Sequence, residues 1–186
     1  MSSAKSFAEQ IVQELQFTVQ SIQPEQAEQL AAAIVSSSHI FVAGAGRSGL
    51  MGKAFAMRLM HMGLHAHVVG ETTTPGIGAN DLLIIASGSG ETGSLVAMAH
   101  KAKKLGAKLA TVTLSPDASI GQAADLIVQL QGAPKDQSGN SFATVQPMAS
   151  LFEQTLLLFY DALIMELMAR KGLNSDTMYG KHANLE

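Results

Sequence analysis

IFVAGAGRSG, residues 40–49, sets an apolar, β-rich run directly against a glycine-rich turn, and a helical pattern follows from Ser48 to Met62 until Gly63 closes it. A strand that enters a helix through glycines is the opening unit of a wound α/β sheet, and the chain repeats that unit. Residues 65–69 read as a second strand, residues 71–80 (ETTTPGIGAN) as an irregular loop, and residues 82–86 as a third strand that runs into SGSGET. A helix over residues 93–105 ends at Gly106. Residues 108–113 and 126–129 read as strands four and five, with a short helical or turn segment between them. Alternating strands and helices require right-handed crossovers and a mainly parallel sheet covered on both faces. Strands that are apolar throughout, rather than at every second residue, fit that burial.

Either side of this unit the pattern is helical. Phe7, Ile11, Leu15 and Val19 recur every four positions, and Pro24 opens a second helix carrying Ala27, Leu30, Ile34 and Val35. After a Gly/Pro/Ser-rich loop at 132–140, a long helix is expected from near Val145 to about Met168, with only Glu153, Asp161 and Glu166 charged. Its apolar residues fall on more than one side, so it is deeply buried or shared with another subunit, and a homo-oligomer is expected. No repeat, charge block or linker divides the chain. It reads as one domain over 1–186, with helices in 1–38 and a terminal helix and tail in 145–186.

Composition narrows the chemistry. Of 186 residues, 47% are hydrophobic and 15% charged, which provides for a buried core and argues against disorder. Twelve Lys and Arg against 15 Asp and Glu leave a formal net charge of −3, so nucleic acid is not the expected partner, although a local pocket can still hold one phosphate. The absence of cysteine removes thiol catalysis, disulfides and thiolate metal sites together. The longest apolar run, Leu156–Tyr160, falls far short of the ~20 residues a spanning helix needs, and the N-terminus lacks the apolar core of a signal peptide. A soluble, cytoplasmic protein without membrane contact is the expectation.

GAGRSG has the Gly44-x-Gly46-x-x-Gly49 spacing of a dinucleotide fingerprint, with Glu71 near the place of a ribose-binding acid. That pattern alone serves equally as a tight strand-to-helix turn. SGSGET changes the balance: Ser87, Gly88, Ser89, Gly90, Glu91 and Thr92 follow one strand and precede one helix, offering hydroxyls and backbone N–H groups to a single anion. A dinucleotide fold needs no second cradle. If strands one and three are neighbours where the winding reverses, Gly46, Arg47, Ser48 and SGSGET meet at one crevice. A compact phosphorylated metabolite fits it better than an extended dinucleotide.

The two loops resemble the sugar isomerase domain of phosphosugar isomerases and phosphosugar-binding regulators. With AFAMRLMHMG (54–63), VVGETTTP (68–75) and the terminal KHANLE (181–186), the chain is similar to the 6-phospho-3-hexuloisomerase branch of that family. The resemblance implies a three-layer α/β/α sandwich with a five-stranded parallel sheet wound in the flavodoxin-like order, and a homotetramer. It implies interconversion of arabino-3-hexulose 6-phosphate and fructose 6-phosphate in ribulose-monophosphate formaldehyde assimilation, with 3-hexulose-6-phosphate synthase as functional partner. Such a reaction moves a carbonyl from C3 to C2 by taking the C2 proton and returning one to C3 through an enediol. It needs a base, a group that moves protons between oxygens and a phosphate anchor, but no redox cofactor. His65-x-His67 puts two imidazoles on one side of a strand with no evident third ligand, so no metal site is expected.

Glu153 is the candidate base, because a carboxylate isolated among apolar residues has to face a cleft or a partner. SLFEQT (150–155) also matches the position of the family's proton acceptor. His182 is the candidate for proton transfer at the substrate oxygens, since an imidazole changes charge near neutrality; the resemblance carries that role, because a residue so near the terminus acts only if the tail docks. His61 stands 13 residues beyond Ser48 on one helix, roughly 20 Å away at 1.5 Å per residue, so it caps the helix or serves a neighbouring subunit. Arg47 is expected to hold the phosphate or a substrate hydroxyl, and Glu91 to bind through its backbone N–H. Regulators of this family append a basic DNA-reading module, which the first 38 residues do not supply.

Overall fold

The computed structural model of the protein describes residues 3–135 and 143–185. Five strands, β1 (Ile40–Gly44), β2 (Ala66–Val68), β3 (Leu82–Ala86), β4 (Lys108–Thr113) and β5 (Leu126–Gln129), pair in the order β2-β1-β3-β4-β5, and every pairing is parallel. Successive strand residues point to opposite layers. Ile40, Val42, Leu82, Ile84 and Val112 face one layer with α2 (Pro24–Ser36), α3 (Gly46–His61) and α6 (Ser150–Lys171). Phe41, Ala43, Leu83, Ile85 and Leu109 face the other with α4 (Gly93–Lys104) and α5 (Ser119–Ala123). The winding reverses between β1 and β3, so the crevice expected from the sequence opens at their carboxyl ends. Residues 136–140 of the loop read at 132–140, and Glu186 of the tail, lie outside the described residues.

The α3 and α6 helices run side by side in one direction. Arg47 pairs with Glu153 at their starts, Phe55 stacks on Tyr160 at 4.1 Å in the middle, and His61 shares a pocket with Met165 and Met168 at the far end. The Tyr160 ring is wholly buried and its hydroxyl has no hydrogen-bond partner among the described residues, which costs the fold a desolvated donor. Tyr160→Phe is therefore expected to stabilise the protein by about 1 kcal/mol, raising Tm by about 2–4 °C in calorimetry. A lower Tm would show that the hydroxyl has a use.

One expectation needs correction. The terminal helix does not begin near Val145: Met148 has φ 55°, outside the helical region, just after Pro147, and α6 starts at Ser150. Glu153 therefore sits in the first turn of α6, not two turns in. The lead-in is clamped instead by Glu14 of α1 (Ala4–Gln20), whose carboxylate accepts from Thr144 Oγ1 (2.7 Å), the Val145 N–H (2.8 Å) and Gln146 Nε2 (2.9 Å). Burial pushes the Glu14 carboxyl upward, but the bonds from Gln146, Val145 and Thr144 more than offset it and hold it below the usual range. The four-residue apolar spacing does form a helix, α1, although Phe7 and Val19 on it are exposed. What fixes α1 to α6 is a buried bond between Thr18 and Thr155 hydroxyls at 2.7 Å. A short α7 (Ser175–Tyr179), capped by Asn174, was not legible and carries the tail back against α3.

Candidate active site

At the carboxyl end of the sheet several helices begin without a side-chain cap of their own, and three of them open on one place: α3 after Ala45, α4 after Thr92 and α6 after Ala149. Ala45 and Ser48, Thr92 and Leu95, and Ala149 and Phe152 all line one cleft of about 260 Å³. Each helix start presents unpaired N–H groups and the positive end of its dipole, so three of them around one cleft make a site for an anion. The glycines of GAGRSG permit this approach. A Cβ on Gly49 would lie 2.6 Å from the Gly44 carbonyl oxygen, and Gly46 enters the helix at φ 58°.

The SGSGET serines also line the cleft, and they do not cap α4. The Ser87 Oγ accepts the Gly90 N–H at 3.2 Å and the Ser89 Oγ accepts the Glu91 N–H at 3.3 Å. Each serine oxygen thus holds the loop's own backbone and leaves its O–H free to donate. The Ser48 hydroxyl, almost buried, makes no hydrogen bond among the described residues, and the Thr92 hydroxyl makes none either. Behind the loop, the Gly88 carbonyl accepts from the Leu114 N–H (3.2 Å) and Thr113 Oγ1 (3.3 Å), which pins it to the end of β4.

Glu91 differs from the expectation in a useful way. Its backbone N–H is taken by Ser89, and its carboxylate turns outward to accept the Ser119 N–H (2.6 Å) and hydroxyl (2.7 Å) at the start of α5. Those bonds, the backbone one first, hold its carboxyl below the usual range. Glu91 braces the loop rather than presenting a charge to the cleft.

Glu153 follows Phe152 on α6 and is 6% exposed. The Arg47 Nε lies 2.7 Å from its Oε2. Arg47 is thus committed to the carboxylate through Nε, leaving its two terminal nitrogens to donate to a substrate oxygen. The anion cleft and the Glu153–Arg47 pair are adjacent, since Phe152 and Ser48 line the first and their chain neighbours form the second.

The histidines lie elsewhere. His61, buried in the last turn of α3, stacks against His182 at 5.4 Å and lies 3.3 Å from Arg58 Nη1 through its Nδ1. Burial, then Arg58 and His182, push the His61 imidazole below its usual range. With Asp161, these residues line a second pocket of about 390 Å³. The length of α3 from Arg47 to His61 separates this pocket from the Glu153 pair by about 20 Å. Glu153 and His182 are therefore not brought together within one chain.

Three features escaped the sequence. Lys135 lines the anion cleft; being the only Lys or Arg between Lys108 and Arg170 was its one signal. The His65-x-His67 pair gains a third imidazole, His39, with ring centroids 5.4 and 5.5 Å from the other two, because Ile40 is in register with Ala66. Asp81 holds His39 through a 3.1 Å contact to Nδ1. Among the described residues no group of three or more His, Asp or Glu is arranged to hold a metal ion. Glu71 pairs with Lys53 at 3.6 Å, away from the cleft, and is not a ribose acid. No helix among the described residues is long and apolar enough to cross a membrane.

Comparison with known proteins gives this geometry a context. The SIS domain model matches residues 33–159. The 3-hexulose-6-phosphate isomerase of Bacillus subtilis is 58% identical over 180 residues, covering 97% of each chain, and that of Mycobacterium gastri is 44% identical over 169 residues, covering 91% of this chain and 84% of its own. A Methanococcus jannaschii crystal structure, for which a molecular function of 3-hexulose-6-phosphate isomerase was inferred, superposes with a TM-score of 0.83 at 32% identity, covering 96% and 98% of the two chains.

Proposed function

The chain belongs to the SIS domain family, and from that premise we infer that it is an isomerase interconverting arabino-3-hexulose 6-phosphate and fructose 6-phosphate. The observation that carries a mechanism is a buried carboxylate, Glu153, placed by Arg47 beside a cleft where three uncapped helix starts converge. The phosphate sits in that cleft on the hydroxyls of Ser48, Ser87, Ser89 and Thr92 and the free N–H groups of the helix starts. Gly46, Gly88 and Gly90 shape the backbone around it, and Glu91 keeps SGSGET rigid from behind. Anchoring the phosphate fixes the sugar's C2 and C3 for the base.

Glu153 takes the C2 proton, the C2–H electrons form the C2–C3 double bond, and the C3 carbonyl becomes an enediolate oxygen. The Arg47 terminal nitrogens are placed to meet that developing charge. A proton is then returned to C3 while the C2 hydroxyl gives up its own, leaving the carbonyl at C2. His182 moves the protons on these oxygens. Because it lies with His61 about 20 Å along α3 from Glu153 of its own chain, it does so in the cleft of a neighbouring subunit. The homo-oligomer, a tetramer in this reading, is supported by exposed apolar residues one heptad apart on adjacent helices: Leu50 and Met57 on α3, Leu158 and Met165 on α6. In the cell the substrate comes from 3-hexulose-6-phosphate synthase, within formaldehyde assimilation.

The direct test is a coupled assay for fructose 6-phosphate formed from enzymatically generated arabino-3-hexulose 6-phosphate. Saturable turnover is expected. An inactive protein that still binds phosphosugar would replace catalysis by ligand sensing.

A further inference from the structure

We propose that Lys135 is a substrate-binding residue whose ammonium closes the cleft over the phosphate and sets affinity rather than turnover; the proposal rests on the isomerase reading of this cleft. The chain delivers Lys135 there by constrained steps. Beyond β5 the Leu130 N–H donates to the Thr113 carbonyl at 2.9 Å. Gly132 then crosses the first turn of α6 so closely that a Cβ would lie 3.2 Å from the Phe152 backbone, and Ala133 is fully buried. Pro134 and Lys135 follow at once and line the cleft that Ser48, Ser87, Ser89 and Thr92 line.

Charge separates this lysine from an ordinary surface one. Among the described residues that line the cleft Lys135 is the only formal cation, and it makes no ion pair or hydrogen bond with any described residue. Of the described carboxylates Glu153 and Glu91, neither competes for it, since Glu153 is held by Arg47 and Glu91 by Ser119. A phosphate monoester carries close to two negative charges at neutral pH, while hydroxyls and helix starts supply only partial positive charge. A mobile ammonium on a four-carbon stem suits a group that must enter and leave at each turnover. It belongs to the phosphate end, because it shares its cleft with the phosphate donors, whereas the Glu153–Arg47 pair forms the neighbouring feature.

The test compares wild type, Lys135→Met and Lys135→Arg in the coupled assay, with inorganic phosphate as competing probe. Loss of one charge-assisted contact predicts that Lys135→Met raises KM and the inhibition constant for phosphate together, by about 10- to 100-fold, with kcat changed less than about 3-fold. Lys135→Arg is expected to recover most of the affinity. An unchanged phosphate constant, or a fall in kcat at constant KM, overturns the proposal. Should wild type prove inactive, phosphate titration still discriminates: weaker binding in Lys135→Met upholds the cation while the isomerase reading falls.

Discussion

Glu153→Gln is expected to lower kcat by about 10²- to 10⁴-fold with little change in KM. The amide keeps the size of the carboxylate and one oxygen for the Arg47 Nε, so the first turn of α6 stays in place. It cannot take a proton from carbon. In the proposed reading the phosphate sits on the Ser48, Ser87, Ser89 and Thr92 hydroxyls and the helix starts, in a cleft whose lining does not include Glu153, so binding should survive while chemistry does not. Arg47 is more than half exposed, so losing its ionic partner leaves no buried charge to unfold the protein. The measurement is steady-state kinetics in both directions, paired with phosphate titration to show the cleft intact. If the variant retains more than about a tenth of wild-type turnover, Glu153 is not the base, and the proton acceptor must be sought on another element of the crevice.

The sheet was legible because each of its determinants is local. The runs read at 82–86, 108–113 and 126–129 match the observed strands residue for residue, and the one read at 65–69 shortens by one residue at each end. The two glycine-rich turns were legible for the same reason: glycine and serine between a strand and a helix state their backbone needs within six residues. What was not legible depends on contacts between distant segments. The start of α6 is set by the conformation of Met148 and by Glu14, more than 130 residues away in α1. Lys135 enters the cleft only because Gly132 packs on Phe152, and His39 joins His65 and His67 only through strand register. The inward turn of the serines onto Gly90 and Glu91, and the outward turn of the Glu91 carboxylate onto Ser119, likewise follow from the packed loop. Spacing along α3 did separate His61 from its own chain's crevice, because helix rise is fixed geometry. That the tail brings His182 to the same distant pocket required the fold.

That separation has a consequence that mixing experiments can read. Glu153→Gln and His182→Asn are each expected to reduce activity by at least about 10²-fold when assembled alone, the first for want of a base and the second for want of a proton carrier at the oxygens. In the proposed homo-oligomer every site of the first variant lacks its carboxylate, and every site of the second lacks its imidazole. In a mixed assembly, a cleft from a His182→Asn chain keeps Glu153 and can receive His182 from a Glu153→Gln neighbour. With random assembly at equal amounts, about one site in four is complete, so co-refolded or co-expressed variants should regain about a quarter of wild-type activity. Recovery should require subunit exchange, vanish when the proteins are mixed without it, and peak at equal stoichiometry. No mixture can regain activity if carboxylate and imidazole must come from one chain, because no chain in it carries both. Absence of recovery from verified hetero-oligomers would therefore remove His182 from the neighbour's site. The pairing of His61 with His182 would then be left as packing between α3 and the tail.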